Sequence, residues 1–322
     1  MHAKLPLIIA AITAVLVGFG SWFYQSTRLQ DYARGIIVPP TNLLSSDNSR
    51  TNIALLGVGG QGHEGGELTD SILVASLHHE TKKITLLSIP RDIWLSSQVA
   101  KINSIYYYAE KQSPGTGLPR VKTALNEVTG LPIHYSLLID FSGFIKVIDA
   151  VGGIEVTVDR TFDDYKYPIP GKENVEPEQD RYEHLHFEAG TQRMDGVTAL
   201  KYVRSRHALG EEGTDFARSI RQQKVIRAFL RSLISTQTVF NSERITTLES
   251  ALSSSIKTDI PVSLYSSFTK FGLTLNFDEI KSVTIEKQLY NPKNLKPYGS
   301  QWVLIPIKDW SAIHTYVQEN LN

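Results

Sequence analysis

The chain has 322 residues, with 33 Lys+Arg balanced by 33 Asp+Glu, so its formal charge is zero. Hydrophobic residues at 41% and charged residues at 20% exclude a globally disordered or fibrous chain, and the neutral total removes the strongly basic footprint expected of a nucleic-acid binder. The absence of cysteine excludes a disulfide framework, a thiolate nucleophile, a Cys-ligated zinc and an iron–sulfur cluster.

Residues 1–4 read as a short cytoplasmic tail. From Leu5 to Tyr24 there are 20 residues without a formal charge, which as a helix span ~30 Å, the hydrocarbon thickness of a bilayer. The segment lacks the polar stripe of a core helix. It ends in Trp22-Phe23-Tyr24 rather than a small-x-small cleavage site. This predicts an uncleaved transmembrane signal anchor over 5–24, N-terminus cytoplasmic, with the bulk of the chain outside the cell membrane. Residues 25–50, with Pro39-Pro40 and the polar run Ser45–Ser49, read as a linker, and 51–322 as one α/β domain.

Apolar runs predict strands at Asn52–Val58, Ser71–Leu77 and Ile84–Ile89, the last two joined in a hairpin at Thr81-Lys82-Lys83. A helix is expected over Val121–Val128, stopped by Gly130, then a strand over Tyr135–Ile139. Phe141–Ala150 reads as a helix closed by Gly152-Gly153 and Ile154–Val158 as a strand. Asp215–Ile234 is an amphipathic helix, Trp302–Ile307 a last strand and Trp310–Leu321 a closing helix. The alternation predicts a layered α-β-α sandwich around a mixed sheet, preceded by one membrane helix.

Two attractive patterns fail on spacing. Gly57-x-Gly59-x-x-Gly62 follows a strand, yet too few residues separate it from the next strand for the crossover helix a dinucleotide needs. His63-Glu64, His78-His79 and His184-x-His186 lack the i, i+4 helical spacing of a metallohydrolase and read as exposed or hydrogen-bonding histidines. No Gly-x-Ser-x-Gly elbow occurs.

Ser88-Ile89-Pro90-Arg91-Asp92 delivers an arginine and a carboxylate to the mouth of a strand, where sheet proteins place ligand-binding groups; an ordinary surface ion pair is the alternative. A stronger constellation lies between Leu200 and Gln223. Arg204 and Arg206 are two apart and share a face if the chain is extended there. After a short loop, Asp215 starts a helix on which Arg218, Arg221 and Gln222 share a face by i, i+3, i+4 spacing. Arginines near a helix N-terminus oppose the dipole unless an anion sits among them, and planar guanidinium groups suit phosphate oxygens. Asp215 can hold one arginine or cap the helix. A pyrophosphate or phosphodiester is the expected anion. The zero total is a cancellation: residues 155–183 carry nine acidic and four basic side chains, and 201–231 carry eight basic and three acidic. The basic block is therefore the candidate site, and the acidic block, rich in Tyr and Pro, reads as a solvated loop near its rim.

On these motifs, LLGVGG, LTDSILVASL, KKITLLSIPRD, KINSIYYY, IDFSGFIKVIDAVGGIEV and ALKYVRSRH followed by TDFARSIRQQ, in that order over nearly the whole chain, the sequence resembles the LytR-CpsA-Psr family of bacterial wall-polymer ligases. The resemblance implies an α/β sandwich with an apolar cavity for a polyprenyl tail. The implied activity is Mg²⁺-assisted transfer of a glycan phosphate from a polyprenyl-pyrophosphate carrier to peptidoglycan, the polymer being a teichoic acid or capsule. The partners implied are the membrane, the lipid-linked glycan and the wall glycan, with no nucleic acid. It places Asp70 on the metal, Arg91 as an essential arginine, and Arg204, Arg206, Arg218 and Gln222 on the pyrophosphate, with Asp215 as their partner and Arg221 adjacent. Asp92 and Asp70 stay open as general base. Gly59 and Leu68 depart from the family's Asp and Arg at those positions, which implies either a weaker metal site or one that recruits Glu64 or Glu67. A lipid pyrophosphatase and a non-catalytic binder of wall polymer or lipid are the competing readings.

Overall fold

The computed structural model of the chain describes residues 44–60, 65–169, 171–172, 174–233, 242–272, 274–275 and 279–321. The expected span 5–24, the linker up to residue 43 and His63-Glu64 lie outside the described residues, among which no helix is long and apolar enough to cross a membrane. Along the chain come β1 Arg50–Val58, β2 Thr69–His78, β3 Ile84–Ser88, β4 Trp94–Leu95, β5 Ala100–Lys101, α1 Ile105–Gln112, α2 Gly117–Thr129, β6 Tyr135–Asp140 and α3 Phe141–Ala150. They are followed by β7 Ile154–Val158, β8 Phe162–Pro168, β9 Tyr182–Phe187, β10 Gly190–Met194, α4 Gly196–Arg204, α5 Asp215–Leu233 and α6 Ser242–Ser255. The last elements are β11 Ile256–Thr258, α7 Tyr265–Gly272, β12 Ile280–Thr284, β13 Leu289–Tyr290, β14 Ile305–Pro306 and α8 Trp310–Leu321.

Where a single domain is expected, the described chain divides into two compact units. One, the sheet unit, comprises residues 45–140, 257–260 and 278–322; the other, the insert unit, covers 141–256 and 261–277.

The sheet unit is built on six strands in the order β11-β6-β1-β2-β3-β12. β1 runs antiparallel to β2 (Ile53 opposite Ala75) and parallel to β6 (Ile53 opposite Tyr135), and β2 runs antiparallel to β3 (Val74 opposite Leu87). β12 lies parallel to β3, so the sheet is mixed, with β2 alone reversed among β1, β2, β3, β6 and β12. The strand period of two sends Ala54, Leu56, Val58, Ile72, Val74 and Leu87 to one face. There they pack with Val121, Leu125 and Val128 of α2 and Ile313, Val317 and Leu321 of α8. Ile53, Leu73, Ala75 and Leu86, on the opposite face, are buried too. A sheet buried on both faces explains why its strands read as continuous apolar runs, and each buried Val, Leu or Ile side chain contributes about 1.5–3 kcal/mol. α2 stops at Gly130, whose φ of +70° closes the last turn on Asn126 O at 2.8 Å. A side chain there would also strike the His314 ring of α8.

In the insert unit β7 pairs antiparallel with β10 and β8 with β9, while α3 packs on α4 and α6, and α5 on β7 and α4. Residues 155–183, expected as a solvated loop, instead form most of β7, β8 and the start of β9. In β7 the buried Val156 and Val158 alternate with exposed Glu155 and Thr157, and in β8 Phe162, Asp164 and Tyr167 are buried across a register shift, a pattern that high charge content masks. The expected last strand over Trp302–Ile307 shrinks to the two residues of β14, since β13, its partner, offers only two.

Candidate functional site

The carboxyl ends of β1, β3 and β6 and the amino end of β2 meet at one edge of the sheet unit, where parallel-strand sheets bind ligands. Asp70 is set there by a bulge: Gly57 faces Ser71 and Val58 faces Thr69, so Asp70 has no partner on β1. Thr69 anchors the bulge from a fully buried position, its hydroxyl donating to Asn103 O at 3.1 Å. The Asn103 N–H in turn donates to Arg91 O at 3.3 Å, and the Leu304 N–H to Asp92 O at 2.9 Å. Backbone bonds thus fix the Pro90–Asp92 turn on both sides.

Side chains complete a chain of alternating charge. Arg91 Nη1 lies 2.6 Å from Asp70 Oδ1, Arg91 Nε 3.5 Å from Asp92 Oδ2, and Lys101 Nζ 2.8 Å from Asp92 Oδ1. Arg91 therefore bridges two carboxylates rather than pairing with its neighbour alone. Asp92 is nearly buried and holds Arg91 and Lys101 in place, whereas the Asp70 side chain keeps 41% of its surface exposed. Lys101 and Asp140 are the residues sequence reasoning missed at this edge. Asp140 ends β6 directly beside Val58, and the backbone passes so close at Gly60 (φ +82°) that a Cβ there would lie 3.1 Å from Asp140 Cβ. Parallel pairing of β1 with β6 is a long-range register, which no local pattern announces.

In the insert unit the arginines are placed by α4, the segment after it and α5. Asp195 caps α4, accepting from Thr198 N at 2.7 Å. Arg204 is the last residue of that helix, where the dipole favours a cation, so the extended conformation expected across 204–206 begins only at Ser205. Arg204 Nη1 donates to Tyr167 Oη at 2.9 Å and its guanidinium stacks 4.2 Å from the centre of the Phe141 ring. Asp164, fully buried, holds the next three residues: Oδ2 accepts from Ser205 Oγ at 2.7 Å, Arg206 N at 3.0 Å and His207 N at 3.2 Å. Burial pushes its pKa up, but the hydrogen bonds from Ser205 and the backbone N–H groups of Lys166, His207 and Arg206 outweigh that and hold it below the usual carboxylate value.

A depressed carboxylate pKa contributes stability that is present above the unfolded value and lost as pH falls through the folded one. Asp164→Asn is expected to cost about 1–3 kcal/mol at neutral pH, because an amide nitrogen would face N–H donors. Urea denaturation at pH 7 and again below about pH 4 should show the deficit shrinking in acid; an equal deficit at both pH values would remove the charge from this account.

Asp215 opens α5, but Thr214 caps it: its hydroxyl accepts from Ala217 N at 3.1 Å. Arg218 and Gln222, one turn apart, are half-buried. Arg221 is where the expected shared face fails. It is 2% exposed, with Nε on Tyr202 O at 3.0 Å, Nη2 on Ser205 O at 2.6 Å, and Nη1 on Glu212 O and Oε2 at 2.8 and 2.9 Å. Its guanidinium lies over the Phe162 and Tyr202 rings. Arg221 thus points into the protein, whereas Arg218 and Gln222 are only half-buried. It ties α5 to the end of α4, which brings Arg204 and Arg206 to the first turns of α5. Burial lowers its pKa and Glu212 opposes that; burial raises the Tyr202 hydroxyl to about 12. Asp164 and Glu212, missed in the sequence, were hidden because acidic side chains in a charged stretch look solvated; Tyr167 was hidden in the same stretch, where no local pattern announces its pairing with Arg204.

Among the described residues no group of three or more His, Cys, Asp or Glu is placed to hold a metal. A magnesium ion on a phosphate substrate needs only one or two protein carboxylates; Asp70, part-exposed on its bulge with Oδ1 on Arg91, is one such carboxylate at this edge.

The sheet unit thus carries Asp70, Arg91 and Asp92 at one edge of a mixed sheet, and the insert unit carries buried and half-buried arginines on a helix pair, in a mixed α/β protein. The LytR_cpsA_psr family pattern matches residues 26–313, and the chain belongs to that family. It is 26% identical over 286 residues, 81% of this chain and 50% of its relative, to the cell wall biosynthesis protein LcpA of Corynebacterium glutamicum. It is also 26% identical over 288 residues, 87% of this chain and 80% of its relative, to the polyisoprenyl-teichoic acid–peptidoglycan teichoic acid transferase TagU of Enterococcus faecalis. The chain thus spans about half of LcpA and four-fifths of TagU. Its fold is similar to that of B. subtilis TagV, with a TM-score of 0.59 at 21% identity, covering 86% of this chain and 98% of TagV.

Proposed function

We propose that the chain is a membrane-anchored transferase that moves a glycan phosphate from a polyprenyl-pyrophosphate carrier onto peptidoglycan. In this reading residues 5–24 are the anchor and the layered α/β domain lies outside the membrane. The observation that supports it is the scaffold of Asp164 and Arg221, two buried charged residues whose bonds hold the Ser205–His207 segment after Arg204 and tie it to α5, the helix that also bears Arg218 and Gln222. A scaffold of this kind preorganises guanidinium groups for a diphosphate before it arrives, which is what phosphoryl transfer asks of a protein. In the insert unit Arg204, Arg206, Arg218 and Gln222 bind the pyrophosphate; in the sheet unit Arg91 is the essential arginine. Asp92 is a positioning residue that holds Arg91 and Lys101. Asp70 would hold the Mg²⁺, which when bound neutralises charge on the phosphates.

The test is the full chain in detergent with a polyprenyl-pyrophosphate-linked glycan, peptidoglycan fragments and Mg²⁺. Glycan attached to the peptidoglycan with release of polyprenyl phosphate is expected, and chelation by EDTA should abolish both. Release without attachment would convert the reading to a pyrophosphatase. Lipid binding without release would make the chain a non-catalytic binder.

A further inference from the structure

His186, on β9, has its imidazole held from both sides: Nδ1 is 2.8 Å from Asp163 Oδ1 and Nε2 is 2.7 Å from Glu188 Oε2. A neutral imidazole offers one N–H and one lone pair, and an ionised carboxylate only accepts. Both contacts are therefore hydrogen bonds only when His186 carries both ring protons. His184, two residues earlier on the same strand face, places Nε2 2.7 Å from the same Asp163 oxygen, with the Tyr165 ring stacked flat on it at 4.2 Å. The titratable groups around His186 are thus Asp163 and Tyr165 from β8, and His184 and Glu188 from β9 and its end; Asp164 lies on the opposite, buried face of the hairpin.

This histidine face is joined to the arginine segment through one residue. The Asp163 carbonyl oxygen accepts the Leu209 N–H at 3.3 Å. Its neighbour Asp164 holds Ser205, Arg206 and His207.

We propose that His186 is a proton-operated latch: doubly protonated, it ties Asp163 to Glu188 along the β8–β9 hairpin, and loss of one proton releases that edge and loosens residues 205–209. Hydrogen bonds to Asp163 and then Glu188 raise the His186 pKa above its ordinary value, while those from His186 and His184 lower that of Asp163. A raised histidine contributes its hold fully below its unfolded pKa and loses it as pH rises through the folded one. The latch is therefore closed below the ordinary histidine value and opens as the pH rises through the raised His186 pKa. All its members are at least partly exposed, so the effect is local rather than a change in global stability. Its consequence for transfer rests on the pyrophosphate clamp proposed above; the latch itself does not.

The test uses the full chain in detergent micelles with ¹³C-labelled histidine, titrated by NMR, alongside hydrogen exchange of residues 205–209 corrected for the intrinsic pH dependence of exchange. His186 should titrate above about 6.5, and exchange at Arg206 and Leu209 should rise several-fold through that titration. Glu188→Gln, at an exposed position, should lower the His186 pKa and move the exchange step with it. A His186 titrating at or below the ordinary value, exchange that stays flat through the titration, or a step unmoved in Glu188→Gln would each overturn the latch. An intact exchange step in a protein inactive in the transfer assay would remove the proposed function and leave the latch standing.

Discussion

Arg221→Ala is expected to destabilise the insert unit by about 2–4 kcal/mol, the cost of stripping donors from carbonyl oxygens and of a cavity at a buried side chain, with the partly exposed Glu212 charge adding less than a buried one would. The substitution leaves the Glu212 carboxylate and the carbonyl oxygens of Tyr202, Ser205 and Glu212 without their donor, and it opens a hole against the Phe162 and Tyr202 rings. Arg221→Lys should recover little, because one ammonium cannot reproduce a planar fork that reaches three backbone oxygens at once. Chemical denaturation followed by a probe in the insert unit reads both variants, and a loss under about 1 kcal/mol for Arg221→Ala would sink the strut. The exposed Arg160–Glu211 pair is the control: Arg160→Ala should leave the transition unmoved, since exposed pairs contribute little.

Arg204→Ala should act on the other axis, lowering kcat by about 10²–10³-fold while the protein stays folded, the usual cost of removing one preorganised donor from a developing charge. Arg204 is half-buried, and its bonding is to one tyrosine hydroxyl and two aromatic faces, so its loss strands no buried charge. Arg204→Lys keeps the charge but not the stacked, planar geometry over Phe141 and Tyr167, and should recover only part of the rate. Transfer assays beside thermal melts separate the two outcomes. A wild-type rate in Arg204→Ala would remove this residue from the clamp, and a large drop in melting temperature would recast it as a second strut.

The contrast between Arg204 and Arg221 shows where sequence reasoning reached and stopped. Both lie in a basic block whose position was legible from charge distribution alone, and helical spacing grouped Arg221 with Arg218 and Gln222. Spacing describes a helix in isolation. Which side of α5 faces the protein depends on what α4 and the Glu212 loop offer, and they offer a ring of acceptors that only a guanidinium can fill. Asp164 was lost for the same reason: a carboxylate among charged neighbours looks solvated until a distant segment brings its N–H groups to it. The Asp70 bulge likewise exists only as a mismatch between β1 and β2.

By itself the sequence determined the strands and helices with strong periodicity and stop signals, such as α3 and α8, whose bounds match the reading residue for residue, and the position of the basic block on which the clamp is proposed. Its ordered set of motifs also indicated the family. These depend on neighbours within one or two turns, or on order along the chain, and survive without a fold. Only the tertiary structure decided that the chain forms two units, that Arg91 bridges Asp70 and Asp92, that Arg221 turns inward and that two histidines share one carboxylate. Each of those rests on pairing between residues far apart in sequence, where burial and hydrogen-bond satisfaction choose the partner.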